Sequence, residues 1–174
     1  MGPCPAKSLF HSLTGACATI HSTMLSTSLR TLATLAALAF SAPASPNFSG
    51  HWKLNTQKSK LDEPYQEERT IDHKDPDLTV NLKATADGDD EESTAKYRTD
   101  GKETRNMIDG DPLFTTAHWD GDVLVVDSQL VSDTETVEQH DRWTLSTDGK
   151  LLTVARKQKV GSDQRELVLV FDLL

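Results

Sequence analysis

The sequence predicts an all-β fold, an antiparallel up-and-down meander that closes into a barrel of eight to ten strands. Runs of alternating apolar and polar residues are separated by Asp-Gly dipeptides, among them Asp87-Gly88, Asp100-Gly101, Asp120-Gly121 and Asp148-Gly149. Asp-Gly supplies the positive φ angles of a tight type I′ turn, so each dipeptide is expected to join two antiparallel strands. Because closure leaves no unpaired strand edge, a barrel is favoured over the alternative, an open sandwich.

The predicted strands follow one another along the chain with polar turns between them. The first two are expected at residues 48–54 and 67–73, and the third, which starts at Leu78, has the clearest alternation. Residues 87–92 are expected to form an acidic turn. Later strands are expected at residues 94–99, 103–108, 113–119, 122–131, 134–145, 150–158 and 166–173. The strands at residues 94–99 and 103–108 are predicted to form a hairpin. No segment has the 3.6-residue period of a helix.

The first 44 residues differ in composition from the rest of the chain. Residues 24–44 have the parts of an export signal: a short segment with Arg30, an apolar stretch, and small residues before a cleavage point that leaves Ser45 first. The apolar stretch is too short to cross a bilayer, which takes about 20 helical residues. Residues 1–23 fit no part of such a signal and are expected to be an extension ahead of the true start at Met24. The alternative is a cytosolic protein with a disordered tail.

Residues 45–174 are expected to form one domain, exported to the periplasm or to the outside of the cell. This segment carries 16 of the 18 Lys and Arg and all 27 Asp and Glu, which gives it a net charge of −11. Such a charge argues against binding to nucleic acid or to anionic lipid surfaces. Both cysteines, Cys4 and Cys17, precede the domain, so its stability in an oxidising compartment must come from packing and hydrogen bonds.

The first predicted strand contains Gly50-x-Trp52, which resembles the opening signature of the calycins (lipocalins, fatty-acid-binding proteins and their relatives). Blocks similar to a family of exported bacterial proteins, described only as lipocalin-like, lie at residues 47–59, 73–76, 97–104, 119–126 and 142–150. The resemblance covers nearly all of residues 47–174 and implies a calycin-like barrel. It implies no particular ligand, because that family has no settled function. The chain also lacks the disulfide of secreted lipocalins and the helix pair of fatty-acid-binding proteins.

The resemblance also implies structural roles for Trp52 and Arg156. In lipocalins a tryptophan at this place plugs the closed end of the barrel, and an arginine from a late strand packs over its indole ring. Arg156 is expected to be that arginine, with Arg142 as the second choice.

Five residues are expected to line a ligand cavity: Tyr97, Trp119, Gln139, Asp141 and Trp143. Alternate residues of a strand share one face of the sheet, so Gln139 and Asp141 should point inward together with Trp143. Inward polar groups need partners, and in a barrel they often line a cavity. The alternatives are that Gln139 and Asp141 lie in water at the barrel mouth and that Tyr97 and Trp119 belong to a packed core.

No cofactor, bound metal or catalytic residue is expected. The domain has four histidines: His51, His73, His118 and His140. They lie in different predicted strands, without the local spacing of a zinc site. The acidic turn has Glu92 where a calcium loop needs glycine. The domain also has no Gly-x-Ser-x-Gly motif, no cysteine nucleophile and no phosphate-binding glycine loop.

The predicted function is non-enzymatic binding of a small, partly apolar molecule inside the barrel of a monomer or weak dimer. The alternative is a protein-interaction or inhibitor module whose barrel is filled by its own side chains. A third hypothesis is an isomerase or cyclase with its reaction in the barrel lumen. It would need an inward acid or base, such as Asp141 or His73, with a shifted pKa.

Overall fold

The structure, a computed structural model, describes residues 45–86 and 88–174. The expected extension at residues 1–23 and the expected export signal at residues 24–44 lie outside the described residues. Within the two described ranges, no helix has the length and apolar character needed to span a membrane. The strands are β1 (Gly50–Leu54), β2 (Gln66–Lys74), β3 (Asp77–Ala86), β4 (Asp89–Arg98), β5 (Thr104–Ile108), β6 (Asp111–Asp120), β7 (Val123–Val131), β8 (Thr136–Leu145), β9 (Leu151–Val160) and β10 (Asp163–Leu173).

The ten strands form one antiparallel sheet that curves into a nearly closed barrel, which confirms the predicted fold class. Strands that follow one another in the chain pair from β1 to β4 and from β5 to β10. β1 also pairs with β10, with Trp52 opposite Leu173 and Leu54 opposite Phe171. The first and last strands are therefore joined. β4 and β5 are the two ends of the sheet, and they approach each other across a gap.

Alternation of side chains separates a packed interior from a solvated surface. In β2 the buried residues are Glu67, Arg69, Ile71 and His73, and the residues between them are exposed or half-buried. The largest fully buried apolar side chains are Phe48, Trp52, Leu78, Leu124, Leu152, Leu169 and Phe171. Each stabilises the fold by about 1.5–3 kcal/mol relative to exposure. The interior is therefore an ordinary apolar core that also has to accommodate charged residues.

The Gly50-x-Trp52 pattern has a steric cause. Gly50 has a φ of 155°, which residues with a side chain rarely adopt, and a β-carbon there would lie 2.6 Å from Leu173 Cδ1 and 3.2 Å from Trp52 Nε1, so a larger residue would strain the backbone and displace the Leu173 side chain. Trp52 is 1% exposed, and its Nε1 donates to the carbonyl oxygen of Phe48 at 2.9 Å. The pattern therefore places a buried indole, with its single polar atom satisfied, beside the junction of the first and last strands.

Asp-Gly dipeptides mark turns in this chain, but they do not all form the predicted type I′ turn. Asp109-Gly110, a further dipeptide of this kind, is the loop between β5 and β6, and its φ angles of 52° and 94° are those of type I′. Between β6 and β7 the two-residue loop is Gly121-Asp122, and only Gly121 has a positive φ, of 61°. Glycine at the first central position fits a type II′ turn. Asp120 itself still belongs to the strand.

The predicted hairpin of residues 94–99 and 103–108 is wrong. β4 and β5 lie at opposite ends of the sheet order, and no hydrogen-bond ladder joins them in the described part of the chain. The connection through Asp100-Gly101 instead docks on β6, where the Gly101 N–H donates to the Ala117 carbonyl at 2.8 Å. The Asp100-Gly101 turn therefore does not join two strands that pair with each other.

The side chain of Asn106 in β5 bridges the gap to β4. Its Oδ1 accepts from the Lys96 N–H at 2.8 Å, and its Nδ2 donates to the Lys96 carbonyl at 2.9 Å. A primary amide offers a donor and an acceptor as a peptide group does, so it can stand in for one residue of a strand ladder. This bridge connects the two ends of the sheet where their backbones do not pair.

The acidic segment at residues 87–92 is mostly strand, which corrects the expectation of a turn. β4 begins at Asp89, and its first residues pair with β3, so that Glu92 lies opposite Lys83. Lys83 Nζ lies 2.6 Å from Glu92 Oε1, and Thr85 Oγ1 donates to Asp90 Oδ1 at 2.7 Å. Such cross-strand pairs offset the repulsion among neighbouring carboxylates and permit an acidic strand.

Replacing Asn106 by Ala should open the junction between β4 and β5. The variant loses two hydrogen bonds, so we expect the free energy of unfolding to fall by about 1–2 kcal/mol. The Lys96 amide should exchange its hydrogen at least about tenfold faster. Asn81→Ala is the control, because Asn81 accepts from Thr94 where the backbones already pair. Unchanged exchange at Lys96 in Asn106→Ala would contradict the bridge.

Candidate functional site

A cavity of about 300 Å³ lies inside the barrel. Its aliphatic walls are formed by Val80, Leu82, Ile108, Leu113, Val126 and Leu130. Side chains with polar atoms also line it: Arg69, Tyr97, Gln139, Asp141, Trp143 and Arg156. The exposed Glu91 belongs to the lining as well, so the cavity reaches solvent near the start of β4. Apolar walls with a few convergent polar groups are the usual form of a small-molecule site.

Asp141 and Arg156 form a buried ion pair in the cavity wall. They lie opposite each other on β8 and β9. Arg156 Nε donates to Asp141 Oδ1 at 2.9 Å and Nη2 donates to Oδ2 at 2.7 Å, a bidentate contact. Burial favours the neutral guanidine, but the charge and hydrogen bonds of Asp141 outweigh it and hold the pKa of Arg156 above its ordinary value. Arg156 is therefore charged, and Asp141 occupies one side of its planar fork.

Glu67 and Arg69 form a second buried pair, two positions apart on the inward face of β2. Arg69 Nε donates to Glu67 Oε1, and the Tyr65 hydroxyl donates to Glu67 Oε2 at 2.9 Å. Burial and the Glu67 carboxylate raise the pKa of Tyr65, so its phenol stays protonated. The Arg69 guanidinium carbon lies 4.4 Å from the Phe171 ring centre and 5.5 Å from that of Trp143. Both distances fit cation–π contacts.

Trp143 lines the cavity with its ring. The residue is 2% exposed, and its Nε1, which makes no hydrogen bond to any described residue, is itself buried and does not open into the cavity. The Tyr97 ring meets it edge-on, with centroids 6.5 Å apart and planes at 88°. Burial raises the pKa of Tyr97, so its phenol is neutral. The Trp143 ring therefore contributes an apolar surface to the cavity, beside a neutral tyrosine.

Four of the five predicted lining residues lie at the cavity: Tyr97, Gln139, Asp141 and Trp143. Their role in binding a ligand stays a prediction. Trp119 does not line this cavity, and its ring stacks on Phe48 with centroids 5.8 Å apart. The β6 residue in the lining is Leu113, six residues before Trp119. At about 3.3 Å per residue, Trp119 lies roughly 20 Å farther along the strand.

The predicted contact of Arg156 with Trp52 is wrong. Arg156 is held by Asp141, and the cation–π contacts of the described residues do not include Trp52. The second choice, Arg142, lies on the other face of β8 and pairs with Asp120, with Nη2 to Oδ2 at 2.9 Å. Position in a late strand predicted an inward arginine correctly. The inward carboxylate directly opposite decides which partner that arginine takes.

Sequence reasoning missed Tyr65, Glu67 and Arg69 as parts of the site. Glu67 and Arg69 share the inward face of β2 with Ile71. A signal was present in the sequence, because two opposite charges at inward positions of a predicted strand must be buried and must therefore pair. The contact of Arg69 with aromatic rings of distant strands had no such signal.

A separate polar cluster surrounds His73. His73 Nδ1 accepts from the Phe48 N–H at 3.3 Å, and Nε2, which has no hydrogen-bond partner among the described residues, lies 3.7 Å from Asp75 Oδ1. Asp75 accepts from the Thr99 hydroxyl and from Trp119 Nε1. Burial lowers the pKa of His73 more than the Asp75 charge raises it, so the ring is neutral near pH 7. Because His73 does not line the cavity, it is not placed to act there as an acid or base.

A larger groove, of about 540 Å³, crosses the outer face of the sheet from β6 to β10. Its charged side chains largely pair with each other. Asp127 Oδ1 lies 2.6 Å from His140 Nδ1, and Glu166 Oε1 lies 3.3 Å from Lys157 Nζ. These charged groups are solvated and already paired, whereas the interior cavity offers aliphatic walls that a partly apolar molecule can bury. The interior cavity is therefore the stronger candidate for a binding site.

Comparison with known proteins shows the fold but no family. No family model and no curated protein matches the chain. Solved structures that match have a calycin-like fold. A REP1-NXSQ fatty acid transporter is 12% identical, over 73% of this chain and 96% of its own, with a TM-score of 0.50. Human cRBP IV is 13% identical, over 74% of this chain and 99% of its own, with a TM-score of 0.50. A zebrafish ileal bile acid-binding protein complexed with cholic acid is 14% identical, over 73% of this chain and 98% of its own, with a TM-score of 0.52.

The buried His73 should make the protein less stable as the pH falls from about 7 to about 5. Its folded-state pKa is lowered, so in this window the unfolded chain binds a proton that the folded chain does not. The slope is at most about 1.4 kcal/mol per pH unit. His73→Gln, which retains an acceptor for the Phe48 N–H, should lose this part of the slope, and the exposed His118→Gln should retain it. Urea unfolding at several pH values measures the effect, and parallel curves for wild type and His73→Gln would disprove it.

Removing one partner of the Asp141–Arg156 pair should lower the free energy of unfolding more than removing both partners. Asp141→Ala leaves a buried, uncompensated guanidinium, so we expect a loss of about 3–5 kcal/mol in the free energy of unfolding. The double substitution Asp141→Leu/Arg156→Met replaces both charges by apolar groups and should cost less than about 1 kcal/mol. Urea unfolding at pH 7 compares them. Equal losses in the two variants would show that the pair is not buried as described.

Proposed function

We propose that this protein binds a small, partly apolar molecule non-covalently in the cavity inside the barrel. The observation that carries the proposal is an interior cavity of about 300 Å³ whose lining combines aliphatic side chains with hydrogen-bonding groups such as Tyr97 and Gln139. The volume equals that of about ten water molecules, or one small organic molecule. It lies at the lower limit of common ligand sites.

The arrangement of the lining supports a ligand with one polar group. Aliphatic residues of β3, β5, β6 and β7 supply the walls, and their burial of an apolar body provides affinity of about 25 cal/mol per Å². Tyr97 and Gln139 supply polar atoms that could hold the polar group in one orientation. Affinity and orientation thus come from different parts of the cavity.

The structural neighbours support the same proposal at the level of the fold. Their names describe a fatty acid transporter and a bile acid-binding protein. Each is covered almost completely by this chain, so the likeness extends over a whole barrel and not over a fragment of one. The neighbours do not identify the ligand of this protein, because their sequence identities of 12% and 14% carry only the fold.

The two other functional hypotheses have less support. A barrel filled by its own side chains is what an interaction module requires, and the interior cavity argues against it. A lumen enzyme requires an acid or base free to react, but the Asp141 carboxylate is held by Arg156 at both oxygens. His73 lies outside the cavity lining.

We further propose that the binding domain acts after export, as residues 24–44 predict. The domain would then begin at Ser45. A small ligand would be taken up outside the cytoplasm.

Native mass spectrometry of the protein purified from its own source tests the proposed function and the cleavage point together. We expect a bound small molecule that is released on denaturation, and a protein mass that starts at Ser45. Gln139→Leu removes the amide from the cavity lining, and it should weaken binding about tenfold, the value of one hydrogen bond.

Gln129→Leu is the matched control for that variant. It makes the same change on the exposed face of β7, away from the cavity, so ligand affinity should stay within about twofold of wild type. A protein that carries no ligand and is not stabilised by any compound of a small-molecule thermal-shift screen would refute the proposed function.

A further inference from the structure

We infer that the cavity selects a ligand with an uncharged polar group and discriminates against carboxylates. The inference rests on the proposed function and specifies its ligand class. Two arginines in a lipid-sized cavity would ordinarily suggest an anion site. In this protein both arginines are already neutralised by carboxylates of the same chain.

Arg156 is neutralised by Asp141. Its Nε and one terminal nitrogen, Nη2, donate to the two carboxylate oxygens at 2.9 and 2.7 Å. This bidentate contact occupies one edge of the guanidinium and leaves Nη1 free. A ligand carboxylate would therefore have to displace Asp141 or bind at Nη1 close to it, and two adjacent carboxylates repel each other.

Arg69 is neutralised in a different way. Its Nε donates to Glu67, and its guanidinium lies over the rings of Phe171 and Trp143. Glu67 is held in turn by the Tyr65 hydroxyl at 2.9 Å. Arg69 and Glu67 have side chains that are 3% and 4% exposed, so this pair is fixed within the core and cannot turn toward a ligand without breaking it.

The charge balance around the cavity is unfavourable to an anion. The lining contains Arg69 and Arg156 against Asp141 and Glu91, and Glu67 adds a further negative charge through its pair with Arg69. The site therefore has a net charge of −1, within a domain of net charge −11. A carboxylate would lose its hydration and gain no free cation in return.

The groups left for a ligand carry no unbalanced positive charge. The Gln139 amide can both donate and accept, and the remaining N–H groups of Arg69 and Arg156 belong to guanidinium ions that are already paired with carboxylates. A hydroxyl, amide or ester carbonyl satisfies such groups without bringing a charge. The class of ligand is therefore an apolar chain or ring system with one uncharged hydrogen-bonding group.

Three probes with the same ten-carbon chain test this inference: 1-decanol, decanamide and decanoate. Calorimetric titration into the purified protein at pH 7.4, where decanoate is ionised, gives their dissociation constants. We expect decanol and decanamide to bind at least tenfold more tightly than decanoate. Decanoate binding as tightly as the uncharged probes, or more tightly, overturns the inference and leaves the proposed function standing. If none of the three binds, the proposed function fails and the inference fails with it.

Removing the carboxylate partner of a cavity arginine should reverse the preference for uncharged probes over decanoate. Asp141→Asn frees Arg156, so affinity for decanoate relative to decanol should rise at least tenfold. Glu67→Gln frees Arg69 and is the second variant to use if Asp141→Asn does not fold. Glu91→Gln is the control, because it removes one negative charge from the lining without releasing an arginine: Glu91 is in no ion pair with a described residue. If the affinity for decanoate relative to decanol rises as much in Glu91→Gln as in Asp141→Asn, the selectivity comes from overall charge. That result would overturn the role of the paired arginines.

Discussion

The pairing of β1 with both β2 and β10 is the interaction on which the rest of the structure depends. β1 has only five residues, but it connects the first and last parts of the sheet and turns an open meander into a nearly closed barrel. A further hydrogen bond reinforces this seam, since the Leu174 N–H donates to the His51 carbonyl at 2.9 Å. Gly50 is favoured here because its φ of 155° would strain a residue with a side chain. An interior cavity exists only because this seam encloses it.

Enclosure also determines what happens to the charges inside. A buried ion without a partner costs several kcal/mol, so every inward carboxylate or guanidinium of this barrel must be paired. Arg156 finds Asp141 on the neighbouring strand, and Arg69 finds Glu67 on its own strand. These pairs contribute little net stability compared with apolar residues of the same size. Their importance is that they set the electrostatic character of the cavity, which is close to neutral despite containing two arginines.

The interior is divided into a packed part and an open part. Toward the end that holds Trp119, the rings of Phe48, His73 and Trp119 stack with centroids 5.8 to 5.9 Å apart. Farther along the strands, aliphatic side chains leave about 300 Å³ unfilled. Trp143 belongs to both parts, since its ring meets Phe48 edge-on and also lines the cavity. A rigid aromatic cluster therefore fixes one wall of the cavity, which lowers the entropic cost of binding.

The sequence by itself determined the strand content, the alternation and much of the cavity lining. These features follow from local rules: Asp-Gly turns, a two-residue period, and the inward position of Gln139, Asp141 and Trp143 once one of them is placed. The export signal also rests on the sequence alone, since it lies outside the described residues. Tertiary structure decided which strands pair and which inward groups meet. It separated β4 from β5 despite a turn between them, and it placed Trp119 outside the cavity. It also paired Arg156 with Asp141 instead of Trp52. Such outcomes depend on the curvature and register of the whole sheet, which bring together residues far apart in the chain, and no local pattern encodes those distances.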